Sequence, residues 1–291
     1  MQPQGQTRST PTLKPCQYRP MLSSQDCCVL NGGSGAWAFQ SLAGQLATAI
    51  GIEVSNEPRR FNYLLQSEEI TGDSQIGSFI PLDALRLASD KRLLASCFQK
   101  YQVPTPRTWL TDSWEEALRF VREHKNKEWC LKYPTGCGAA GHKMLSAEST
   151  ETSNWPRPFI IQEFIRLEHP EVYRTFCAGG EIFGWVARRY SSGGGTSPWV
   201  AHARGARYVR LEGPPPEVLH VAECALKAAG LVDSFGCVDL LRRPSGEWVA
   251  LEVGTDGLFN HVDRELDDPA LEAELLDRIA KAFWRAFSKL C

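Results

Sequence analysis

The sequence predicts a mixed protein of the α+β or α/β class. Segments with the apolar spacing of helices alternate along the chain with short apolar runs typical of strands. No repeat of about 20–50 residues is present, which argues against solenoids and propellers. The 291-residue length suggests two domains, at about 150 residues per domain.

Composition excludes several classes of protein. Lys and Arg together number 32 and Asp and Glu 34, so the net charge is −2, and we expect no nucleic-acid partner. No apolar stretch reaches the about 18 residues of a membrane span, so we also expect no membrane partner. The N-terminal segment lacks the apolar core of a secretion signal, and the 10 cysteines form no C-x-x-C pair. We therefore expect a cytoplasmic protein with reduced thiols.

The first elements follow from local patterns. Residues 1–25 are rich in Pro, Gln, Ser and Thr and are predicted to form a flexible arm. A short strand at Cys28–Leu30 is followed by Gly32–Gly35, interpreted as a turn because it lacks the lysine of a P-loop. A helix follows, with apolar residues at helical spacing from Trp37 to Ile50.

The middle of the chain contains two further predicted helices. One begins at Ser89 and buries five residues, namely Leu93, Leu94, Cys97, Phe98 and Tyr101. The prolines of Val103–Pro106 end it, since proline disfavours helix in the residue before it. The next begins at Ser113, which forms a capping box with Glu116.

Strand-like runs and two more helices complete the chain. The predicted strands are Trp129–Tyr133, Phe159–Ile165, Tyr173–Ala178, Ile182–Arg188, Gly236–Leu241 and Trp248–Val253. Three prolines at 214–216 open a helix that Gly230 closes. The last helix begins near Asp268 and Pro269 and is predicted to bury Leu271, Leu275, Ile279, Phe283 and Phe287.

A glycine-rich loop follows the strand that ends at Tyr133. Gly136, Gly138 and Gly141 form a G-x-G-x-x-G motif, but no apolar helical stripe follows, which disfavours a dinucleotide-binding fold. We therefore predict a loop between two strands of a hairpin. Its backbone N–H groups suit phosphate binding, and Lys132 would add a positive charge. The alternative is a solvated hairpin tip.

Two acidic residues lie within apolar strands near the C-terminus. Asp239 and Glu252 flank the turn at 242–247, whose Pro-Ser-Gly segment predicts an antiparallel hairpin. Folding this hairpin about Ser245 brings the two acids within about one residue of being opposite each other. Paired carboxylates suit Mg²⁺ that is shared with substrate phosphates. The alternative is that each acid pairs with a nearby arginine.

The motifs and their order along the chain resemble those of the ATP-grasp superfamily. Within it, the chain is most similar to the RimK-like and D-alanine–D-alanine-ligase-like carboxylate–amine ligases. The resemblance covers residues 80–265 and rests on Asp90–Lys91, Val103–Pro106, the loop after Lys132, Phe159–Ile165, Asp239 and Glu252. It implies an ATP-grasp fold, in which two α+β lobes clasp ATP behind a small α/β domain. The implied division is a pre-ATP-grasp domain at 26–85 and an ATP-grasp domain at 86–291, with lobes at about 86–160 and 161–291.

The resemblance also implies the site residues. Those near the ATP phosphates are Lys91, Lys132, Gly136, Gly138, Gly141 and His142. Those at the hinge beside adenine are Gln162, Glu163, Phe164 and Ile165, with Glu171 or Glu168 at the ribose. Asp239 and Glu252 match magnesium ligands, and Arg174, Arg188 and Arg189 match basic positions near phosphate or the acyl intermediate. The family's E-x-N motif is interrupted here by Gly254, so we hypothesise that Asp256 or Asn260 replaces the missing asparagine.

The implied activity is that of an ADP-forming carboxylate–amine ligase. It would use ATP and Mg²⁺ and act on a small-molecule or peptide carboxylate and an amine, through an acyl phosphate. Three alternatives remain: an ATP-grasp kinase, a non-catalytic nucleotide-binding module, and a dinucleotide-dependent oxidoreductase, which the segment after Gly141 disfavours. A homodimer is also compatible with the resemblance.

Overall fold

The computed structural model describes residues 23–31, 37–65, 77–136, 138–139, 141–190, 197–201, 204–257 and 268–290. Three β-sheets and their covering helices make up these residues. None of the described helices combines the length and hydropathy that a membrane span needs. Most of the predicted N-terminal arm, residues 1–22, lies outside the described ranges.

The first sheet is parallel and lies in the N-terminal part of the chain. Its strands are β1 (Cys27–Leu30), β2 (Glu53–Ser55), β3 (Phe61–Leu64) and β4 (Gly77–Ser78), in the order β2-β1-β3-β4. Helix α1 (Trp37–Ile50) connects β1 to β2, as a parallel pair requires. The strand predicted at Cys28–Leu30 and the helix predicted from Trp37 to Ile50 are therefore confirmed. Strands β1 and β3 are buried throughout, as is usual in parallel sheets.

The second sheet is antiparallel and has its own core. Its strands are β5 (Thr108–Thr111), β6 (Glu128–Lys132), β7 (Lys143–Leu145) and β8 (Phe159–Phe164), in the order β5-β8-β6-β7. Helix α4 (Trp114–Glu123) covers it, and Ser113 Oγ accepts the N–H of Glu116. The reciprocal half of the predicted capping box is absent, because the Glu116 carboxylate accepts a bond from Thr111 Oγ1 at 2.7 Å. Because β8 is a single strand of this sheet, the predicted lobe division at residue 160 falls inside it.

The third sheet is the largest and is also antiparallel. Its strands are β9 (Glu171–Ala178), β10 (Glu181–Arg189), β11 (Arg207–Arg210), β12 (Phe235–Arg242) and β13 (Trp248–Gly254), in the order β11-β10-β9-β12-β13. Helices α5 (Pro216–Ala229) and α6 (Pro269–Ser288) belong to the core of this part of the chain. All five residues predicted to be buried on α6 are buried.

Two short helices connect the first sheet to the second. They are α2 (Leu82–Ser89) and α3 (Lys91–Lys100), where the sequence predicted one helix from Ser89. The helical conformation is interrupted at Asp90, which is extended. Its side chain caps α3 by accepting the N–H of Arg92 at 2.8 Å. Two of the residues predicted to be buried on this helix are exposed, since Leu93 is 49% and Tyr101 58% exposed.

Aromatic packing joins the first and third sheets. The Phe61 ring on β3 lies 5.0 Å from Phe283 and 5.4 Å from Phe287, both on α6. On the same helix, Trp284 Nε1 donates to the carbonyl oxygen of Ile50. The second sheet has a separate core, so a cleft is left between the second and third sheets.

Candidate active site

The cleft between the second and third sheets has an empty space of about 1070 Å³, including its open mouth. Most of the predicted site residues line it, namely Lys91, Lys132, Gly136, Gly138, His142, Gln162, Glu163, Phe164, Ile165, Glu171, Arg188, Asp239 and Glu252. Five others do not line it, namely Gly141, Glu168, Arg174, Arg189 and Asp256. Asn260 lies outside the described residues.

The two acids of the predicted hairpin lie directly opposite each other. Asp239 on β12 pairs with Glu252 on β13, and the register shifts immediately after this pair. Opposite residues of an antiparallel pair project to the same face. Both carboxylates therefore project from one face of the sheet into the cleft. The predicted register, within about one residue of opposite, is confirmed.

Two arginines hold Asp239. Arg174 lies opposite it on β9 and donates twice, from Nε to Oδ1 at 2.6 Å and from Nη2 to Oδ2 at 3.1 Å. Arg188 on β10 donates from Nη2 to Oδ2 at 3.1 Å. Burial alone would raise the pKa of Asp239, but the two guanidiniums outweigh it and lower the pKa to about 2. Asp239 therefore makes the arginine pairs that the alternative describes, and its role as a magnesium ligand remains a prediction.

Glu252 has a different environment from its partner. Its side chain is 37% exposed, and Lys91 Nζ lies 3.8 Å from Oε2. Together with Asp239 it forms a two-carboxylate donor set on adjacent strands. Such a set suits Mg²⁺, which takes one or two protein carboxylates and fills its other positions with phosphate oxygens and water.

Both predicted phosphate-binding lysines line the cleft. Lys91 is the first residue of α3, and its Nζ donates to the carbonyl oxygen of Gly136 at 2.8 Å. Lys132 is the last residue of β6. Burial lowers the pKa of Lys132, and the charge of Glu252 opposes that effect. Lys91 and Lys132 therefore line the same cleft as Asp239 and Glu252.

The glycine loop connects β6 to β7, which pair in an antiparallel manner, so the predicted hairpin is confirmed. Gly136, Gly138 and Gly141 all have positive φ, from 66° to 88°. At Gly141 a Cβ atom would lie 3.0 Å from the Cβ of Tyr133, so a side chain there would be both strained and crowded. Gly141 thus shapes the loop without lining the cleft.

Glu163, which was predicted to lie at the hinge, has contacts that the sequence did not predict. Its buried carboxylate accepts bonds from Lys127 Nζ at 2.6 Å and from Arg243 Nη2 at 2.9 Å. Arg243 follows β12, so this ion pair joins the second sheet to the third. Burial would raise the pKa of Glu163, but its hydrogen bonds to the two cations lower it to about 2. Its neighbour Gln162 donates to Thr108 Oγ1 at 2.9 Å.

The two alternatives for the ribose position differ in location. Glu171 lines the cleft, where it accepts bonds from Arg189 Nη1 at 3.0 Å and from the Tyr173 hydroxyl. Glu168 is exposed and lies off the cleft. The geometry therefore favours Glu171, and it assigns Arg189 to the support of Glu171.

Asp256, proposed as a replacement for the missing asparagine of the E-x-N motif, lies near Gly254 but off the cleft. A Cβ atom at Gly254 would lie 3.0 Å from Cys237 Sγ and 3.6 Å from Asp256 Oδ1, so Asp256 lies beside the vacant position. It does not line the cleft, and burial raises the pKa of its carboxyl group. Within the described ranges, no group of three His, Cys, Asp or Glu side chains is arranged to bind a metal ion.

The apolar floor of the cleft was not predicted from the sequence. Leu241, Leu251 and Val172 line it and belong to a small apolar cluster with Val249. Strand alternation would have identified Leu241, which lies two residues after Asp239 and so shares its face. Leu251 reaches the cleft at the irregularity in the β12–β13 pairing, which no local pattern indicates. Trp199 also lines the cleft, and it carries no recognisable motif.

Comparisons with known proteins bear on the fold. No family model matches the chain. The tetrahydromethanopterin:alpha-L-glutamate ligase of Methanocaldococcus jannaschii is 31% identical over 179 residues, which are 57% of this chain and 58% of that relative. The chain thus matches less than two thirds of the length of this curated relative.

Solved structures match over most of their length. The ATP-grasp ligase PsnB, complexed with a minimal precursor, Mg and ADP, has a TM-score of 0.62 at 14% identity, covering 91% of this chain and 98% of PsnB. The D-alanine–D-alanine ligase from Bacillus anthracis has a TM-score of 0.60 at 13% identity, covering 92% of this chain and 100% of the ligase. The chain therefore has the ATP-grasp fold that its motifs predict.

Proposed function

We propose that the chain is an ATP-dependent, ADP-forming ligase that joins a carboxylate to an amine through an acyl phosphate. The observation that carries this proposal is that Lys91, Lys132 and the glycine loop line one cleft together with Asp239 and Glu252. The partial relative is a glutamate ligase and PsnB is a ligase complexed with a precursor. This similarity supports an amino acid or a peptide as the substrate.

The residues of the cleft have different roles in phosphoryl transfer. Lys91, Lys132 and the backbone N–H groups of the glycine loop bind and neutralise the phosphates of ATP. Glu252 and Asp239 would hold Mg²⁺, which would neutralise further phosphate charge. The hinge backbone at 162–165 and the apolar floor bind the base, and Glu171 binds the ribose.

The reaction then proceeds in two balanced steps. An oxygen of the substrate carboxylate attacks the γ-phosphorus, and ADP leaves with the electron pair of the broken bond. The amine attacks the carbonyl carbon of the acyl phosphate, phosphate leaves, and the amine loses a proton. Arg188, which lines the cleft beside Asp239, supplies a fixed positive charge next to the transferred group. The glycine loop excludes water from the acyl phosphate.

The test is ADP release from MgATP, screened against pools of amino acids and short peptides with hydroxylamine as the amine. Hydroxylamine converts an acyl phosphate to a hydroxamate. ADP together with hydroxamate is the expected result, and it identifies the acid pool. ADP without hydroxamate from every pool contradicts carboxylate activation and indicates a kinase.

A non-catalytic nucleotide-binding module is the second candidate. It is favoured by Gly254, which removes one side chain from the expected metal motif, and by the two arginines that hold Asp239. This candidate predicts MgADP binding by calorimetry with no ADP release from MgATP in any pool. The ligase proposal predicts both binding and release.

A further inference from the structure

The segment 197–201 lies between β10 and β11 in the chain and lines the cleft. Its residues Pro198, Trp199, Val200 and Ala201 all line the cleft. Val200 packs on the apolar cluster at the floor, and Ala201 is only 2% exposed. This segment of the third-sheet lobe is therefore anchored within the site.

The backbone of Trp199 is held from two sides. Its carbonyl oxygen accepts the Tyr190 hydroxyl at 2.6 Å, and its N–H donates to Ser197 Oγ at 3.2 Å. These bonds fix the point from which the indole side chain projects. The indole is half-buried and lines the cleft, which leaves part of its surface available to a ligand.

The indole contacts both functional segments of the opposite lobe. Its ring lies edge-to-face with Phe164 of the hinge, with centroids 5.1 Å apart, and with His142 at the end of the glycine loop, with centroids 5.6 Å apart. Edge-to-face contacts of this kind are specific in geometry and add to the energy of burial. Trp199 thus contacts both the hinge, which we assign to base binding, and the glycine loop, which we assign to phosphate binding.

We infer that Trp199 is a nucleotide-binding residue that closes the cleft and holds the glycine loop through His142. This inference rests on the proposed function. A nucleotide bound between the hinge and the glycine loop would pack against the indole, whose large apolar surface and rigid ring suit a planar base and sugar. Trp199 would therefore contribute directly to nucleotide affinity.

The test compares MgADP affinity, by calorimetry, in the wild type, Trp199→Ala, Trp199→Phe and a control. Trp109→Ala is the control, because Trp109 on β5 stacks on Phe120 of α4 and does not line the cleft. We expect Trp199→Ala to raise the Kd about tenfold, the scale of one lost aromatic contact with the nucleotide, and Trp199→Phe to raise it less. Trp109→Ala should leave the Kd unchanged.

Tryptophan emission gives a second measurement, which does not depend on the alanine variant folding. MgADP should change the emission of the wild type and of Trp109→Phe, and this change should be lost in Trp199→Phe. A Trp199→Ala variant that binds MgADP as tightly as the wild type, or an emission change that persists in Trp199→Phe, would overturn the inference. If the wild type itself does not bind MgADP, the proposed function fails instead.

Discussion

The ion pair between Glu163 and Arg243 predicts a measurable link between the second and third sheets. Glu163 is 8% exposed and accepts bonds from Lys127, from Arg243 and, at 3.2 Å, from the N–H of Arg107. Replacing it in Glu163→Gln removes the charge and keeps the shape. Both cations would then lie at the hinge without their shared carboxylate, so we expect the fold to lose stability.

The magnitude follows from the pKa of the carboxyl group. The folded-state pKa of about 2 lies below the ordinary value of 4.5. The charged form therefore stabilises the fold fully above pH 4.5, and this contribution is lost as the pH falls from 4.5 towards 2. The difference corresponds to about 3 kcal/mol at pH 7 and about 1 kcal/mol at pH 3.

The assay is urea unfolding of the wild type and Glu163→Gln at several pH values. The gap between their free energies of unfolding should be about 3 kcal/mol at pH 7 and should narrow on acidification. Glu128→Gln is the matched control, because Glu128 forms a comparable ion pair with Arg166 at 2.7 Å but is 43% exposed. Such exposed pairs contribute about 0–1 kcal/mol. A gap that is independent of pH, or no larger than that of the control, would refute the argument.

Three further predictions concern the cleft and its supporting sheet. Lys132→Ala should abolish ADP release and weaken MgADP binding, because a buried positive charge at the phosphates is lost; an unchanged rate of ADP release would contradict this assignment. Glu252→Gln should raise the Mg²⁺ concentration required for ADP binding in calorimetry, and an unchanged requirement would place the cation elsewhere. Gly184→Ala should lower the free energy of unfolding by about 1–3 kcal/mol more than Gly180→Ala does, measured by urea unfolding. Both glycines have positive φ, but a Cβ atom at Gly184 would lie 2.9 Å from the Phe176 ring while Gly180 has open space, so equal losses would be inconsistent with crowding.

Local sequence signals predicted the features that depend on neighbouring residues. The Pro-Ser-Gly turn fixed the hairpin that brings Asp239 and Glu252 together, because a short turn determines register. The apolar spacing of α6 predicted its buried face, because one helix alone defines that periodicity. The glycine loop was predicted as a hairpin because no helical stripe follows Gly141.

Features that depend on distant residues could not be predicted in the same way. Arg174 and Arg188 bind Asp239 from two other strands of the sheet, more than 50 residues away in sequence. Likewise, the partner of Glu163 in the third sheet lies 80 residues further along the chain. The short strands β2, β4 and β7 have two or three residues each, too few for a periodicity to be detected.

The central claim is that the cleft activates a carboxylate by phosphorylating it. The most direct measurement uses the acid pool that supports ADP release, labelled with ¹⁸O in its carboxyl groups, and determines the mass of the phosphate released. Because the attacking carboxylate oxygen stays with phosphorus when the amine displaces phosphate, we predict that each phosphate released carries one ¹⁸O atom. Phosphate that carries no label, formed together with ADP, would contradict the acyl-phosphate route and the ligase function with it.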